Sequence, residues 1–134
     1  MTQNKKRILV DMSATLIHHG HIRLLKKASD YGIVIIALTT DEEIKKSKGY
    51  SPELSFLERK EILLSIKYVD QVIPSTWLID EEFLNINNID LLVHGSDNSN
   101  PISKDRLLIL PRTPNISSTK LRERAKEIIN TKNI

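Results

Sequence analysis

The sequence predicts an α/β protein: one Rossmann-like domain, residues 1–134, built on a doubly wound, five-stranded parallel sheet. Three observations carry this. Ile33-Val34-Ile35-Ile36-Ala37-Leu38-Thr39 is a continuous, β-branched apolar run, and a strand apolar on both faces belongs to a parallel sheet covered on both sides. Short apolar runs alternate with amphipathic stretches, the signature of strands joined by crossover helices. The chain has 134 residues, 40% of them hydrophobic, enough for one core, and no repeat, linker or low-complexity segment interrupts it.

Taken in order, residues 7–11 form the first strand around Ile8-Leu9-Val10. His18-His19-Gly20-His21 is a turn leading into an amphipathic helix over 22–31. Ile22, Leu24, Leu25 and Ala28 lie on its inner side, and Gly32 stops it in a left-handed cap. After the strand at 33–39, Thr40 or Asp41 caps a short helix over 42–46, and Lys48 to Pro52 is a loop. Ser55 and Glu58 form a capping box opening a helix with Leu57, Ile62, Leu63 and Ile66 apolar. Residues 69–73 are a third strand ended by Pro74, and 81–86 are helical. Residues 89–93 are a fourth strand ended by His94-Gly95, 96–103 a polar loop, and 107–110 a fifth strand stopped by Pro111. A last helix follows Ser117-Ser118-Thr119, with Leu121, Ala125, Ile128 and Ile129 on its apolar side.

Composition narrows the function. The formal charge is +3, from 20 basic and 17 acidic residues that are interleaved rather than grouped, and aromatic residues are 4%. That pattern is a solvated surface, so nucleic acid is not expected as a partner. No stretch approaches a membrane span, and the run after Met1 to Arg7 is too short for a signal peptide, so a cytoplasmic enzyme is expected. Without cysteine there are no disulfides or thiolate metal sites.

In such a sheet, ligands bind beyond the carboxyl ends of the strands. The residues of interest fall there: His18 and His21 after the first strand, Asp41 after the second, Gly95 and Asp97 after the fourth, Arg112 after the fifth. Neither a P-loop nor a G-x-G-x-x-G is present. His18, Gly20 and His21 at a helix start, where amides are unpaired and the dipole is positive, suit a phosphate. Surface or capping histidines are the alternative, and a metal held by His18, His19 and His21 is a weaker one. Arg112 to Thr119 places an arginine and hydroxyls at another helix start, which can hold triphosphate oxygens while Ser117 or Ser118 caps the helix. Taken singly, Lys48 and Arg59 read as exposed charges, and Trp77 as core, interface or site wall.

Together, His18-His19-Gly20-His21 and Arg112-Thr113-Pro114-Asn115-Ile116-Ser117-Ser118-Thr119 resemble the H-x-G-H and R-T-x-x-I-S-[ST]-T hallmarks of the cytidylyltransferase branch of the nucleotidyltransferase superfamily. Thr39 to Glu42, Glu58-Arg59-Lys60, Ile66 to Asp70 and Gly95-Ser96-Asp97 resemble its T-D-E, E-x-R-K, I-[RK]-Y-V-D and G-x-D segments. Where the family carries G-T-F-D, this chain has Met12-Ser13-Ala14-Thr15. Length and the Arg112-Thr113 pair resemble members using glycerol-3-phosphate. The segment from Asp11 to His18 resembles domains linked to phosphonate metabolism.

The resemblance implies CMP transfer from CTP, accompanied by Mg²⁺ but with no protein metal ligand, to a small acceptor. Glycerol-3-phosphate is favoured, with a phosphonate such as 2-aminoethylphosphonate as the alternative and a non-catalytic nucleotide-binding module as a third reading. His18, His21, Lys48 and Arg112 would be catalytic. Met12, Ser13, Gly20, Gly95, Asp97, Arg112, Thr113, Ile116, Ser117, Ser118 and Thr119 would bind nucleotide. Thr15, Asp41, Lys48, Arg59, Lys67 and Trp77 would face the acceptor. A cytoplasmic homodimer serving cell-surface polymer synthesis is also implied.

Overall fold

The computed structural model describes residues 5–95 and 99–132. Five parallel strands run in the order β3-β2-β1-β4-β5: β1 (Arg7–Met12), β2 (Ile33–Thr39), β3 (Gln71–Ser75), β4 (Leu91–His94) and β5 (Leu107–Ile109). The helices are α1 (His19–Ser29), α2 (Asp41–Lys48), α3 (Phe56–Leu64), α4 (Glu81–Ile86) and α5 (Ser118–Lys132). Strand order reverses between β1 and β4, which makes their carboxyl ends the switch point where a ligand cleft opens.

Side chains alternate across the sheet and build two cores. Ile8, Val10, Val34, Ile36, Leu38, Val72 and Val93 point to one face and meet Leu25 and Ala28 of α1 and Leu63 of α3. Leu9, Ile35, Ala37 and Leu92 point to the other and meet Ile79, Leu84 of α4 and Ile89. This two-sided burial is why β2 carries an unbroken apolar run. Among the described residues, no helix is long and apolar enough to cross a membrane.

Several expectations change. α1 begins at His19, so the histidine motif is the helix end itself; Ile22 is exposed, and Leu25 and Ala28 are the buried residues. Gly32 is not a left-handed cap. Asp30 closes α1, and Gly32 adopts φ 157° where an added Cβ would stand 2.2 Å from the Lys6 carbonyl oxygen, which accepts from Ile33 N–H. Thr40 caps α2, which continues to Lys48, and Gly49 (φ 83°) forms the left-handed end, so Lys48 is the last helical residue rather than part of a loop. The Ser55–Glu58 capping box forms, but Leu57 is 73% exposed and Ile62 is also exposed; Arg59 and Leu63 fill the inner positions of α3. β3 is shifted to residues 71–75 and contains Pro74, whose missing N–H is tolerated on an edge strand. On α5, Ala125, Ile128 and Ile129 are exposed, so its apolar stripe is uncovered.

Candidate active site

At the carboxyl ends of the strands lies a cleft of about 790 Å³. Its first wall is the start of α1. His18 is the N-cap: its Nδ1 accepts from Gly20 N–H at 3.1 Å, while His21 Nδ1 accepts from His18 N–H at 3.1 Å. Two histidines thus form the reciprocal capping box that a hydroxyl and a carboxyl usually make. An Nδ1 that accepts carries no proton, so in each neutral ring the proton sits on Nε2. Burial holds both rings below the ordinary histidine range. His18 is lowered by burial and by His19; His21 is lowered to about 3 by burial, then by His18 and Arg112. The rings lie 4.0 Å apart, centroid to centroid. The pair is therefore uncharged at neutral pH and offers two fixed Nε2–H donors.

Gly20 is required by this arrangement, since an added Cβ would stand 2.8 Å from His18 Cε1 and 3.3 Å from Ile116 Cγ2. Gly95 serves the opposite wall: a Cβ there would come within 2.9 Å of Arg112 Nε, so the glycine lets the arginine lie across the end of β4.

The start of α5 closes the cleft. Ser117 Oγ accepts from Lys120 N–H, so Ser117 caps the helix. Ser118 Oγ accepts from Leu16 N–H at 3.2 Å and donates to Leu16 O at 2.8 Å, stitching α5 to the loop after β1. Lys48 and Trp77 share the wall next to β2 and β3, with Lys48 Nζ 5.8 Å from the indole centroid.

The structure brings His18, His21, Lys48, Arg112, Met12, Ser13, Gly20, Gly95, Thr113, Ile116, Ser117, Ser118, Thr119 and Trp77 to one cleft. Asp97 lies outside the described residues. Four expected acceptor residues do not line the cleft. Arg59 is fully buried: Nη1 donates to Ser13 O and Thr39 O, Nε to Leu54 O, and Nη2 to Asp41 Oδ1 at 2.6 Å. Asp41 is engaged by that pair and by Phe56 N–H. Thr15 is fully buried, its hydroxyl accepting from Arg122 Nη2 at 2.5 Å. Lys67 is exposed, over the Tyr68 ring. Both Arg59 and Thr15 hold the frame behind the cleft.

Among the cleft residues that escape the sequence reading are two cations of α1, Arg23 and Lys27, and a hydrogen-bonded group of three, Asp11, His94 and Asn100. Asp11 Oδ1 lies 2.5 Å from His94 Nδ1, Asp11 Oδ2 accepts from Asn100 Nδ2 at 3.0 Å, and Asn100 Oδ1 accepts from Ile79 N–H at 2.7 Å. Asp11 and His94 could have been sought as the polar residues that end apolar runs at the switch point. Nothing in the sequence marks Asn100.

A family model described as cytidylyltransferase-like matches residues 13–106. Glycerol-3-phosphate cytidylyltransferases of Bacillus subtilis (strain 168) and Staphylococcus aureus (strain NCTC 8325 / PS 47) are each 37% identical over 126 residues. The alignments cover 88% of this chain and 95% and 93% of theirs. An ethanolamine-phosphate cytidylyltransferase of Dictyostelium discoideum is 38% identical over 100 residues, 72% of this chain and 28% of its own length. Among solved structures, a lipopolysaccharide core biosynthesis protein from Thermoplasma volcanium GSS1 superposes with a TM-score of 0.62 at 16% identity, covering 93% of this chain and 89% of that one. That last likeness concerns the fold alone.

Proposed function

Because this chain belongs to the cytidylyltransferase-like family, we propose that it transfers CMP from CTP to a small phosphorylated alcohol and releases pyrophosphate. The observation that carries the reading is the pair of neutral imidazoles, His18 and His21, on one cleft with Lys48 and Arg112. An acceptor phosphate oxygen attacks the α-phosphorus; the bond from that phosphorus to the bridging oxygen breaks, and its electron pair leaves with pyrophosphate. The acceptor is already anionic, so catalysis is positioning and charge stabilisation. His18 and His21 donate Nε2–H to oxygens where charge builds, without the charge an imidazolium would add. Lys48 draws the acceptor phosphate against the α-phosphate. Arg112, Thr113 and Thr119 hold the β- and γ-phosphates. Ser118 acts chiefly through its bonds to Leu16.

Mg²⁺ bound to the CTP phosphates would offset triphosphate charge. The cleft fits an ion held by phosphate oxygens, because its only carboxylate among the described residues, that of Asp11, is engaged by His94 and Asn100. Glycerol-3-phosphate is the first acceptor to try, on the relatives of matching length. Met12-Ser13-Ala14 in place of the family's glycine-led segment favours a phosphonate as the second reading. The finer reading is a cytoplasmic homodimer supplying an activated head group to a surface polymer; the exposed Ile128 and Ile129 support an association face.

The test is pyrophosphate release with CTP or ATP against glycerol-3-phosphate, phosphoethanolamine and 2-aminoethylphosphonate. Turnover with CTP is expected. CTP binding by calorimetry with no pyrophosphate from any acceptor would make the chain a nucleotide-binding module.

A further inference from the structure

Lys48 ends a helix whose last turn has little beneath it. Ile44 is the buried residue of α2, and residues 45–49 are all exposed. Gly49 N–H closes on Lys45 O inside the helix. Among the described residues, the next backbone group of this segment to bond another element is Leu54 O, which accepts from Arg59 Nε. Between those points the loop is gripped by one side chain, that of Arg122 from α5. Its Nε and Nη2 donate to the two oxygens of Glu53, Nη2 to Oε1 at 2.7 Å, and its guanidinium lies 4.9 Å from the centroid of the Tyr50 ring. Nη2 also donates to the hydroxyl of the buried Thr15, in the turn that leads to His18. Beyond Arg122, residues 123–131 of α5 are exposed, so the helix is placed by its first turns, through Ser118 to Leu16 and Arg122 to Thr15. One guanidinium thus joins the turn before the histidines, the helix whose start lines the cleft, and the loop that leaves Lys48. Neither Arg122 nor Glu53 lines the cleft itself. Arg122 and, to a lesser degree, Lys48 hold the Glu53 carboxyl below the ordinary glutamate range, so the fork is charged at neutral pH.

We propose that Glu53 and Arg122 are positioning residues for Lys48: their fork holds the loop behind the lysine and so fixes its ammonium relative to the start of α5. The role of Lys48 toward the acceptor rests on the transferase reading; the fork's hold on the loop does not. Loss of Glu53 frees the loop but leaves α5 bonded to Thr15 and Leu16, so acceptor binding suffers and nucleotide binding does not.

The first test needs no turnover. Trypsin cuts after Lys48 only when its turn opens, and the cut is identified by mass. Glu53→Ala, at a side chain 42% exposed, should speed that cut about threefold to fivefold, the scale of a well-formed ion pair at a surface, while cleavage after Lys27 in α1 stays unchanged. An unchanged rate after Lys48, or an equal rise at both sites, overturns the proposal. The second test is pyrophosphate release with whichever of glycerol-3-phosphate, phosphoethanolamine and 2-aminoethylphosphonate turns over fastest. Glu53→Ala should raise acceptor KM about threefold to fivefold and leave CTP KM within about 1.5-fold of wild type. In an Arg122→Met background, which keeps the stem and drops the fork, Glu53→Ala should add no more than about 1.5-fold to acceptor KM. An unaltered acceptor KM, equal rises for acceptor and CTP, or a full further loss in the Arg122→Met background each overturns the proposal; the last would mean that Glu53 acts on Lys48 by charge alone. If no acceptor gives pyrophosphate, the transferase reading fails, and the trypsin cut still decides whether the fork holds the loop.

Discussion

His18 and His21 do two jobs with two different atoms. Their Nδ1 atoms satisfy amide donors at the start of α1, and their Nε2–H groups are left for a ligand. The two jobs can be separated by substitution. The double variant His18→Ser, His21→Gln rebuilds a capping box from the residues that most often make one. Its urea-unfolding free energy should stay within about 1 kcal/mol of wild type, the size of one cap. Turnover should fall about 100- to 1,000-fold, the loss seen when preorganised donors are removed from a developing charge. A variant that turns over normally would show that the imidazoles only cap the helix. Gly20 belongs to the same unit, because its missing Cβ is the space occupied by the His18 ring.

At the scale of elements, Arg59 is the joint behind the cleft. From α3 it reaches the carbonyls of Ser13 after β1, Thr39 at the end of β2 and Leu54, and it pairs with Asp41 at the start of α2. Arg59→Met would leave buried carbonyls without donors and should destabilise by about 3 kcal/mol or more, read as a lower urea midpoint. Arg59→Lys should recover little, since a single ammonium cannot span the planar fork's partners. An unchanged midpoint for Arg59→Met would remove this role. Arg59 also marks where sequence reasoning stopped. Strands were legible because β2 and its neighbours are apolar on both faces, and the cleft was legible where a motif sits at a helix start. An arginine in a charged stretch looks solvated until partners from residues 13, 39, 41 and 54 converge on it. Asn100 was hidden for the same reason. The stripe on α5 was periodic, yet periodicity does not say whether another element arrives to cover it.

At the scale of the whole molecule, the histidine cap ties folding to acid. In the unfolded chain His21 titrates near 6.5, and in the folded chain it is held to about 3. Between those values the unfolded chain binds a proton that the native chain does not, so stability rises with pH. The contribution is complete above pH 6.5, shrinks as pH falls from 6.5 towards 3, and loses nothing further below. Glu53, lowered from 4.5 by Arg122, contributes above 4.5 and loses its part as pH falls below that. Urea midpoints should therefore start to drop near pH 6.5, before carboxylates titrate. The double variant, whose rebuilt capping box contains no imidazole, should show no such drop between pH 7 and pH 5. A midpoint flat over that range in the wild-type chain would refute the histidine cap as its cause.

The bonds between Ser118 and Leu16 span 102 residues, and that between Arg122 and Thr15 spans 107. Contacts so distant along the chain need nearly all of its length to be present before they can form. On a ribosome, β1 and its histidine turn emerge long before the helix that closes them. A nucleotide held by both walls would stabilise the fold only once α5 has emerged.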